Sequence, residues 1–136
     1  TGGGGGATGG GGGATGGGAG GGGGSAAGFD LVFNGTGYSP HNGQTVRMAL
    51  VQQSDGGVLN TQSLVVANGN VNFTFTGLLQ SGAAYNVDYY ADVNGNNQCG
   101  GNDHIWREVV PAVTANVTLT QSHNFNFVSA ACNSFP

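Results

Sequence analysis

From Phe29 onward, apolar and polar residues alternate in short segments, a pattern typical of β-strands. In Asn70–Thr76, the side chains of Val71, Phe73 and Phe75 share one face, and polar residues occupy the other. Turn sequences such as SDGG, ANGN and NGNN separate these segments. The pattern predicts an all-β fold, an antiparallel sandwich of about seven to eight strands. The alternating segments are Phe29–Phe33, Thr45–Gln53, Ser63–Ala67, Asn70–Thr76, Ala84–Asp92, His104–Val110, Ala115–Thr120 and His123–Val128.

The first 28 residues have a different composition from the rest of the chain. Nineteen of the 30 glycines lie there, and the chain begins with two copies of the seven-residue repeat TGGGGGA. We therefore divide the 136 residues into a glycine-rich, low-complexity arm (1–28) and one β-sandwich domain (29–136). The domain is long enough for one hydrophobic core and too short for two.

Two interpretations of the arm stay open. Glycine-rich segments are typical of flexible tethers. An ordered arm would instead need backbone hydrogen bonds with neighbouring subunits, because fixing 24 residues costs on the order of 24–48 kcal/mol and glycine has no side chain to offset it. As a polyglycine rod, these residues would extend about 74 Å. We expect the second arrangement, with inter-subunit contacts made by Gly2, Gly3, Gly4, Gly9, Gly10, Gly11, Gly16, Gly17, Gly20 and Gly21.

Charged residues are scarce. Arg47 and Arg107 are the two basic residues, six residues are acidic, and the net charge is −4. The sequence therefore offers no basic patch for nucleic acid or for an anionic membrane surface. No apolar run approaches the ~18 residues that a membrane helix needs, so we expect no membrane insertion. A polar surface made mainly of Asn, Gln, Ser and Thr allows copies of the chain to pack without charge repulsion.

The two cysteines, Cys99 and Cys132, fit one disulfide bond, because neither lies in a CxxC or CxxH spacing. The alternative is a pair of buried free thiols. A disulfide is typical of secreted proteins. It would close a loop of about 33 residues and contribute on the order of 3 kcal/mol. We interpret the chain as the mature form of a secreted protein, extracellular or at the cell surface, from which a signal segment has been removed.

One strand and the loop after it suggest a family. In Leu78–Val93, the residues Gly82, Tyr85, Val87 and Tyr89 precede an Asp/Asn-rich loop that starts at Asp92 and Asn94. Over about residues 45–103 the chain resembles the transthyretin-like and carboxypeptidase-regulatory-like β-sandwich domains. The resemblance implies a non-catalytic, immunoglobulin-like or transthyretin-like sandwich of a kind common in secreted proteins.

The loop after the Ala84–Asp92 segment is the densest polar cluster. Asp92, Asn94, Asn96 and Asp103 occupy positions 1, 3, 5 and 12, the spacing of a calcium-binding loop. Glycine stands at position 4 instead of 6, and the flanking segments are predicted strands. The alternative is an Asn-Gly turn whose side chains cap backbone groups. Calcium is therefore a candidate ligand, and no cofactor is expected to be required.

Other residues that could carry chemistry give weaker signals. Cys99 and His104 have a spacing found in blue-copper sites, but no methionine follows them and the cysteine is assigned to the disulfide. The histidines His41, His104 and His123 could form a metal site or supply a base; scattered surface histidines are the favoured interpretation. No nucleophile or paired-carboxylate motif is present, so we expect no enzymatic activity.

Tyrosines and one tryptophan raise a further alternative. They could line a glycan-binding face, although alternating aromatic residues in a sandwich more often form the core. The aromatic residues concerned are Tyr38, Tyr85, Tyr89, Tyr90 and Trp106.

We expect Arg107 to pair across strands with Asp88 or Asp92. The favoured function of the chain is that of a subunit of an extracellular filament or surface assembly, whose partners are copies of itself. The alternative is a monomeric, calcium-stabilised, glycan-binding module on a glycine tether.

Overall fold

The computed structural model describes residues 28–136. The ten glycines expected to contact neighbouring subunits lie outside these described residues. The described part is all-β, as the alternation predicts. Its two short 3₁₀ helices are Ser39–His41 and Ser129–Ser134, and its strands are β1 (Phe29–Thr36), β2 (Thr45–Gln52), β3 (Val58–Val65), β4 (Val71–Leu79), β5 (Tyr85–Ala91), β6 (His104–Val110) and β7 (Val117–Ser122).

The strands form two sheets, one in the order β4-β1-β7 and the other in the order β3-β2-β5-β6. The four-stranded sheet is antiparallel throughout. In the three-stranded sheet, the Thr36 carbonyl at the end of β1 accepts a hydrogen bond of 2.9 Å from the N–H of His123, just after β7. This bond places the residue that follows β7 beside the end of β1.

The described chain divides into two compact units. The first contains residues 28–31 with Phe75–Ser81 and Thr114–Val117, and the second contains Val32–Thr74 with Gly82–Val113 and Thr118–Pro136. In the first unit, Asp30 makes two hydrogen bonds. Its N–H donates to Asn116 Oδ1 at 3.0 Å, and its own Oδ1 accepts from the Gly77 N–H at 2.7 Å. All the candidate sites described below lie in the second unit.

One face of the four-stranded sheet forms the core of the second unit. Strand register places Met48 beside Tyr89, and Tyr89 beside Trp106. All three side chains are at most 1% exposed. Phe33 of β1 packs against Tyr89 with a ring-centroid distance of 5.0 Å. The two sheets are therefore joined by aromatic packing, in a sandwich-like arrangement.

The opposite face of the same sheet is covered by the 3₁₀ helix Ser129–Ser134. Ala131 packs on Tyr90 and Ile105 in a small apolar cluster. The predicted disulfide is present: Cys99 and Cys132 are joined and pack against this cluster. The bridge therefore links the loop after β5 to the C-terminal helix.

Two predicted strands differ from the structure. The sequence predicts a strand at Ser63–Ala67, but β3 spans Val58–Val65 and lies at a sheet edge, where Val58, Leu59 and Val65 are exposed. Because β3 is largely exposed on both faces, apolar and polar residues do not alternate clearly along its sequence. The predicted strand His123–Val128 does not form.

Reducing the disulfide, or replacing both cysteines by serine, is expected to lower the free energy of unfolding by about 3–4 kcal/mol. The physical reason is the loss of a cross-link that closes a loop of 33 residues in the unfolded chain. Urea denaturation of the oxidised chain, the reduced chain and the Cys99→Ser/Cys132→Ser variant measures this. An unchanged denaturation midpoint in the double variant would contradict it.

Candidate metal centre

Three histidines that are far apart in the sequence meet at one place in the second unit. His41 ends the 3₁₀ helix Ser39–His41, His104 begins β6, and His123 follows β7. One ligand nitrogen from each lies within 4.8 Å of the others. His41 is 2% exposed, and the other two are half-buried. The expectation of scattered surface histidines is therefore wrong.

The loop from Tyr38 to Gln44 fixes His41. The Tyr38 N–H donates to the Gly69 carbonyl at 2.9 Å, and the His41 N–H donates to the Tyr38 carbonyl at 2.8 Å. Gly69 has a φ of +69°, and a Cβ there would lie 3.0 Å from the Ser39 nitrogen. Glycine is needed at this position because other residues rarely adopt that backbone conformation and because the turn passes so close.

The tautomer of His41 is set by Gln44. The His41 Nδ1 lies 2.8 Å from the Gln44 Oε1, an oxygen that only accepts, so Nδ1–H is the donor. The lone pair of His41 is then on Nε2, which lies 3.1 Å from His123 Nε2. An outer hydrogen bond of this kind is what orients histidine ligands in metal sites.

Trp106 holds the segment that carries His123. Its Nε1–H donates to the Asn124 carbonyl at 3.1 Å, immediately after His123. Further along the segment, the Val128 N–H donates to the Ile105 carbonyl at 2.9 Å. These bonds replace a strand ladder, which explains why the alternating residues 123–128 do not form a strand.

The geometry suits a transition-metal ion. An ion with Zn–N bonds of about 2.0–2.1 Å holds tetrahedral nitrogen ligands roughly 3.4 Å apart. His41 Nε2 and His123 Nε2, which are hydrogen-bonded to each other at 3.1 Å, lie close to that separation, and one nitrogen of each of the three histidines lies within 4.8 Å of the others. In addition, His104 Nδ1 is buried and has no hydrogen-bond partner among the described residues. Imidazole ligands suit zinc, copper and nickel. The three side chains are therefore candidate ligands for a metal of this class.

Burial favours the neutral form of His104 and His123. Burial, followed by the nearby His41 and His123, lowers the pKa of His104 below its usual value, and Asp103 acts in the opposite direction. Burial and then His41 lower the pKa of His123. A neutral imidazole is the form that binds a metal, so little proton competition is expected near neutral pH.

Aromatic rings surround the three histidines. The Phe127 ring centroid lies 4.5 Å from that of His104, and the Phe125 centroid lies 5.1 Å from that of His123. Phe125 is 73% exposed. Behind the site, Trp106 stacks on Tyr89 at 5.0 Å. The histidines are thus packed against aromatic rings on the protein side and bordered by partly exposed phenyl rings.

A half-buried carboxylate, that of Glu108, lies two residues after Trp106 on strand β6. Burial raises the pKa of Glu108, and a hydrogen bond from Tyr89 lowers it by less. The Tyr89 hydroxyl is also 3.2 Å from the hydroxyl of Tyr38. Because the pKa of the folded state is raised, the favourable contribution of Glu108 is present at low pH and is lost as the pH rises through that pKa.

Glu108→Gln is therefore expected to be more stable than the parent chain at pH 8, because it removes a half-buried ionised carboxylate. The glutamine Oε1 still accepts from Tyr89. The gain should shrink as the pH falls to 5. Melting temperatures of both proteins at the two pH values test this, because every ionisable group other than Glu108 is common to both proteins. A variant that is relatively more stable at pH 5 than at pH 8 would refute it.

In the loop predicted to bind calcium, the side-chain oxygens accept hydrogen bonds from backbone amides. Asp92 accepts from the N–H groups of Gly95 at 3.1 Å and Asn97 at 2.8 Å. Asp103 accepts from the Val93 N–H at 2.9 Å. The asparagine side chains cap the turn as well. The Asn94 Oδ1 accepts from the Asn96 N–H at 3.2 Å, and the Asn96 Oδ1 accepts from the Gln98 N–H at 3.0 Å. These contacts are those of the alternative, a capped turn; calcium binding by Asp92, Asn94, Asn96 and Asp103 stays a prediction.

The remaining candidate residues are a cysteine, an arginine and the aromatic residues. Cys99 is in the disulfide, so the blue-copper spacing with His104 does not form a site. Arg107 pairs with Asp88, the first of the two partners expected for it. The aromatic residues considered for a glycan face are core residues: Tyr38, Tyr85, Tyr89, Tyr90 and Trp106 are all at most 1% exposed.

The sandwich-like fold and a cluster of three imidazoles define a β domain with a candidate transition-metal site. Comparison with protein-family models, curated proteins and solved structures found no match. The transthyretin-like resemblance therefore stays a prediction. In residues 28–136, no helix is long and apolar enough to cross a membrane. The disulfide is compatible with an extracellular location.

Proposed function

We propose that this domain binds a transition-metal ion through His41, His104 and His123 in an extracellular setting. The observation that carries the proposal is the convergence of three imidazole nitrogens within 4.8 Å of one another. Burying a ring nitrogen without a hydrogen-bond partner is unfavourable, because the atom loses its hydrogen bonds to water. The unpartnered Nδ1 of His104 is a case of this, and a bound ion would compensate for that loss.

The ligand set favours zinc or copper over calcium. Calcium and magnesium prefer oxygen ligands, whereas the three histidines offer only nitrogen. Copper(II) generally binds such sites more tightly than zinc. With three protein ligands, a fourth position is left for water or another small ligand. The partly exposed rings of Phe125 and Phe127 border the histidines, so this position would face an apolar rim.

Metal titration of the full chain tests the proposal. The protein is prepared without a polyhistidine tag, treated with EDTA and titrated by calorimetry with ZnCl₂, CuCl₂, CaCl₂ and MgCl₂. One equivalent of zinc or copper should bind. At a free-metal concentration 100-fold above Kd, binding adds about 2.7 kcal/mol, which raises Tm by roughly 10–20 °C. No saturable binding of either metal, or equal binding of calcium, would contradict the proposal.

A second candidate, self-assembly into an extracellular filament or surface layer, has an observation of its own. Strand β3 lies at the edge of the four-stranded sheet, and its sequence, Val58–Val65, contains no charged residue and no proline. Sheet edges in monomeric proteins usually carry such residues, which block pairing with another strand. The uncharged edge supports association between copies of this chain.

Negative-stain microscopy of the full chain and of a chain lacking residues 1–24 tests this candidate and the role of the arm. Filaments from the full chain alone would support contacts made by the glycine arm. Filaments from both would show that the arm is not needed and would favour the β3 edge. Monodisperse single particles from both would favour the tethered monomeric module.

A further inference from the structure

A second polar site lies on the face of the four-stranded sheet opposite to the core. A groove of about 420 Å³ runs over β3, β2 and β5 and is bordered by the C-terminal residues. This volume is within the range of ligand pockets, about 300–1,000 Å³. Strand register places Arg47 in its floor, between Ser63 and Tyr90. The groove is separate from the three histidines and does not depend on the metal proposal.

Arg47 has no carboxylate partner among residues 28–136. Its Nη2 donates to the Asn97 Oδ1 at 3.2 Å, and its Nε is buried without a hydrogen-bond partner. The other arginine is paired with a carboxylate: Arg107 contacts Asp88 through Nε at 2.7 Å and through Nη2 at 3.0 Å. In a chain with six acidic residues and two arginines, one guanidinium is thus left for an external acceptor.

The rest of the groove indicates which acceptor fits. Thr61 and Ser63 supply hydroxyl groups, Asn97 supplies an amide, and Phe135 supplies an apolar wall. A guanidinium matches a single carboxylate in a bidentate contact. A phosphate dianion is less suitable, because Arg47 is the only basic residue in the lining, and Asp92 and Asp103 are near enough to affect the pKa of Tyr90.

We propose that this groove binds an acidic sugar, with the carboxylate on Arg47 and the hydroxyl groups on the neutral polar wall. The incoming carboxylate replaces Asn97 Oδ1 at the Nη atoms. Sugar hydroxyls donate to and accept from Thr61 and Ser63. The apolar face of the sugar ring packs against the aromatic ring of Phe135.

Galacturonate is the probe, and galactose is its neutral counterpart. Amide chemical shifts of the full, EDTA-treated chain are followed during titration by NMR, so that metal binding has no part in the result. We expect galacturonate to shift the amides of Arg47, Ser63 and Asn97, with an affinity at least 10-fold above that of galactose. Equal affinity for the two sugars, shifts at other positions, or equal binding of acetate or inorganic phosphate would overturn the proposal.

Substitutions at Arg47 complete the test. Arg47→Gln should weaken galacturonate binding at least 10-fold, and Arg47→Lys, which keeps the charge but not the planar fork, should be intermediate. Thr118→Ala, an exposed change on β7, is the control and should bind as the parent chain does. Tm values that match the parent show that each variant folds. Undiminished binding by folded Arg47→Gln would refute the role of this residue.

Discussion

His123→Ala is expected to lower the affinity of the chain for zinc by more than about 100-fold. Losing only an outer hydrogen-bond partner of a metal ligand typically costs about 10–100-fold, so losing a ligand itself should cost more. His123 is half-buried, and the chain passes it in an irregular segment anchored by Trp106. The metal-free variant should therefore fold, with a Tm close to that of the metal-free parent.

Gln44 supplies the matched control for this result. It contacts His41 Nδ1 at 2.8 Å but is not itself one of the three ligands. Gln44→Leu removes the acceptor and should weaken zinc binding by about 10–100-fold, less than His123→Ala does. Gln44→Glu keeps an acceptor and should retain binding. Calorimetric titration gives the three affinities. Parent-like affinity in His123→Ala would show that the histidine is not a ligand.

Arg107→Met is expected to lower the free energy of unfolding by about 3–5 kcal/mol. The Asp88 side chain is fully buried, and its two oxygens accept from Arg107 Nε at 2.7 Å and Nη2 at 3.0 Å. Removing the guanidinium leaves a buried carboxylate that accepts a hydrogen bond from the Ser134 hydroxyl at 2.6 Å. Breaking one half of a buried ion pair has this cost because the other charge stays unpaired.

The double substitution Asp88→Leu/Arg107→Met distinguishes the cost of an unpaired buried charge from the cost of losing the whole ion pair. Because both charges are then removed, it should be less destabilised than the sum of the single changes predicts. Ser134→Ala, which leaves the ion pair intact, should cost less than Arg107→Met, about 1–2 kcal/mol. Urea denaturation at pH 7 measures all of these. A loss below about 1 kcal/mol in Arg107→Met would show that water reaches Asp88.

Most of the fold follows from alternation. The sequence predicts all strands except β3 within a few residues at each end. The agreement has its clearest reason in β4, where buried Val71, Phe73 and Phe75 alternate with exposed polar residues. Strand β3 was missed at its start, because Val58–Thr61 are exposed on both faces at a sheet edge. Residues 123–128 alternate without forming a ladder, because one side-chain hydrogen bond from Trp106 and one backbone hydrogen bond to Ile105 hold that segment.

The disulfide could be predicted because two cysteines allow one intramolecular bridge. The histidine cluster could not, because it depends on how the strands are ordered. His123 follows β7, which lies beside β1, and His104 begins β6, an edge strand of the other sheet. These two residues meet His41 because of that strand order. One signal was available: alternation places His104 on the same strand face as the buried Trp106, which argued against a position in solvent.

Zinc K-edge X-ray absorption of the full, untagged chain loaded with one equivalent of zinc tests the central claim most directly. Three imidazole ligands should appear at about 2.0–2.1 Å, with the outer-shell scattering of their rings, together with a fourth light ligand. His123→Ala should reduce the imidazole number by one. A first coordination sphere of oxygen ligands, or of one imidazole only, would contradict the assignment of His41, His104 and His123 as the metal site.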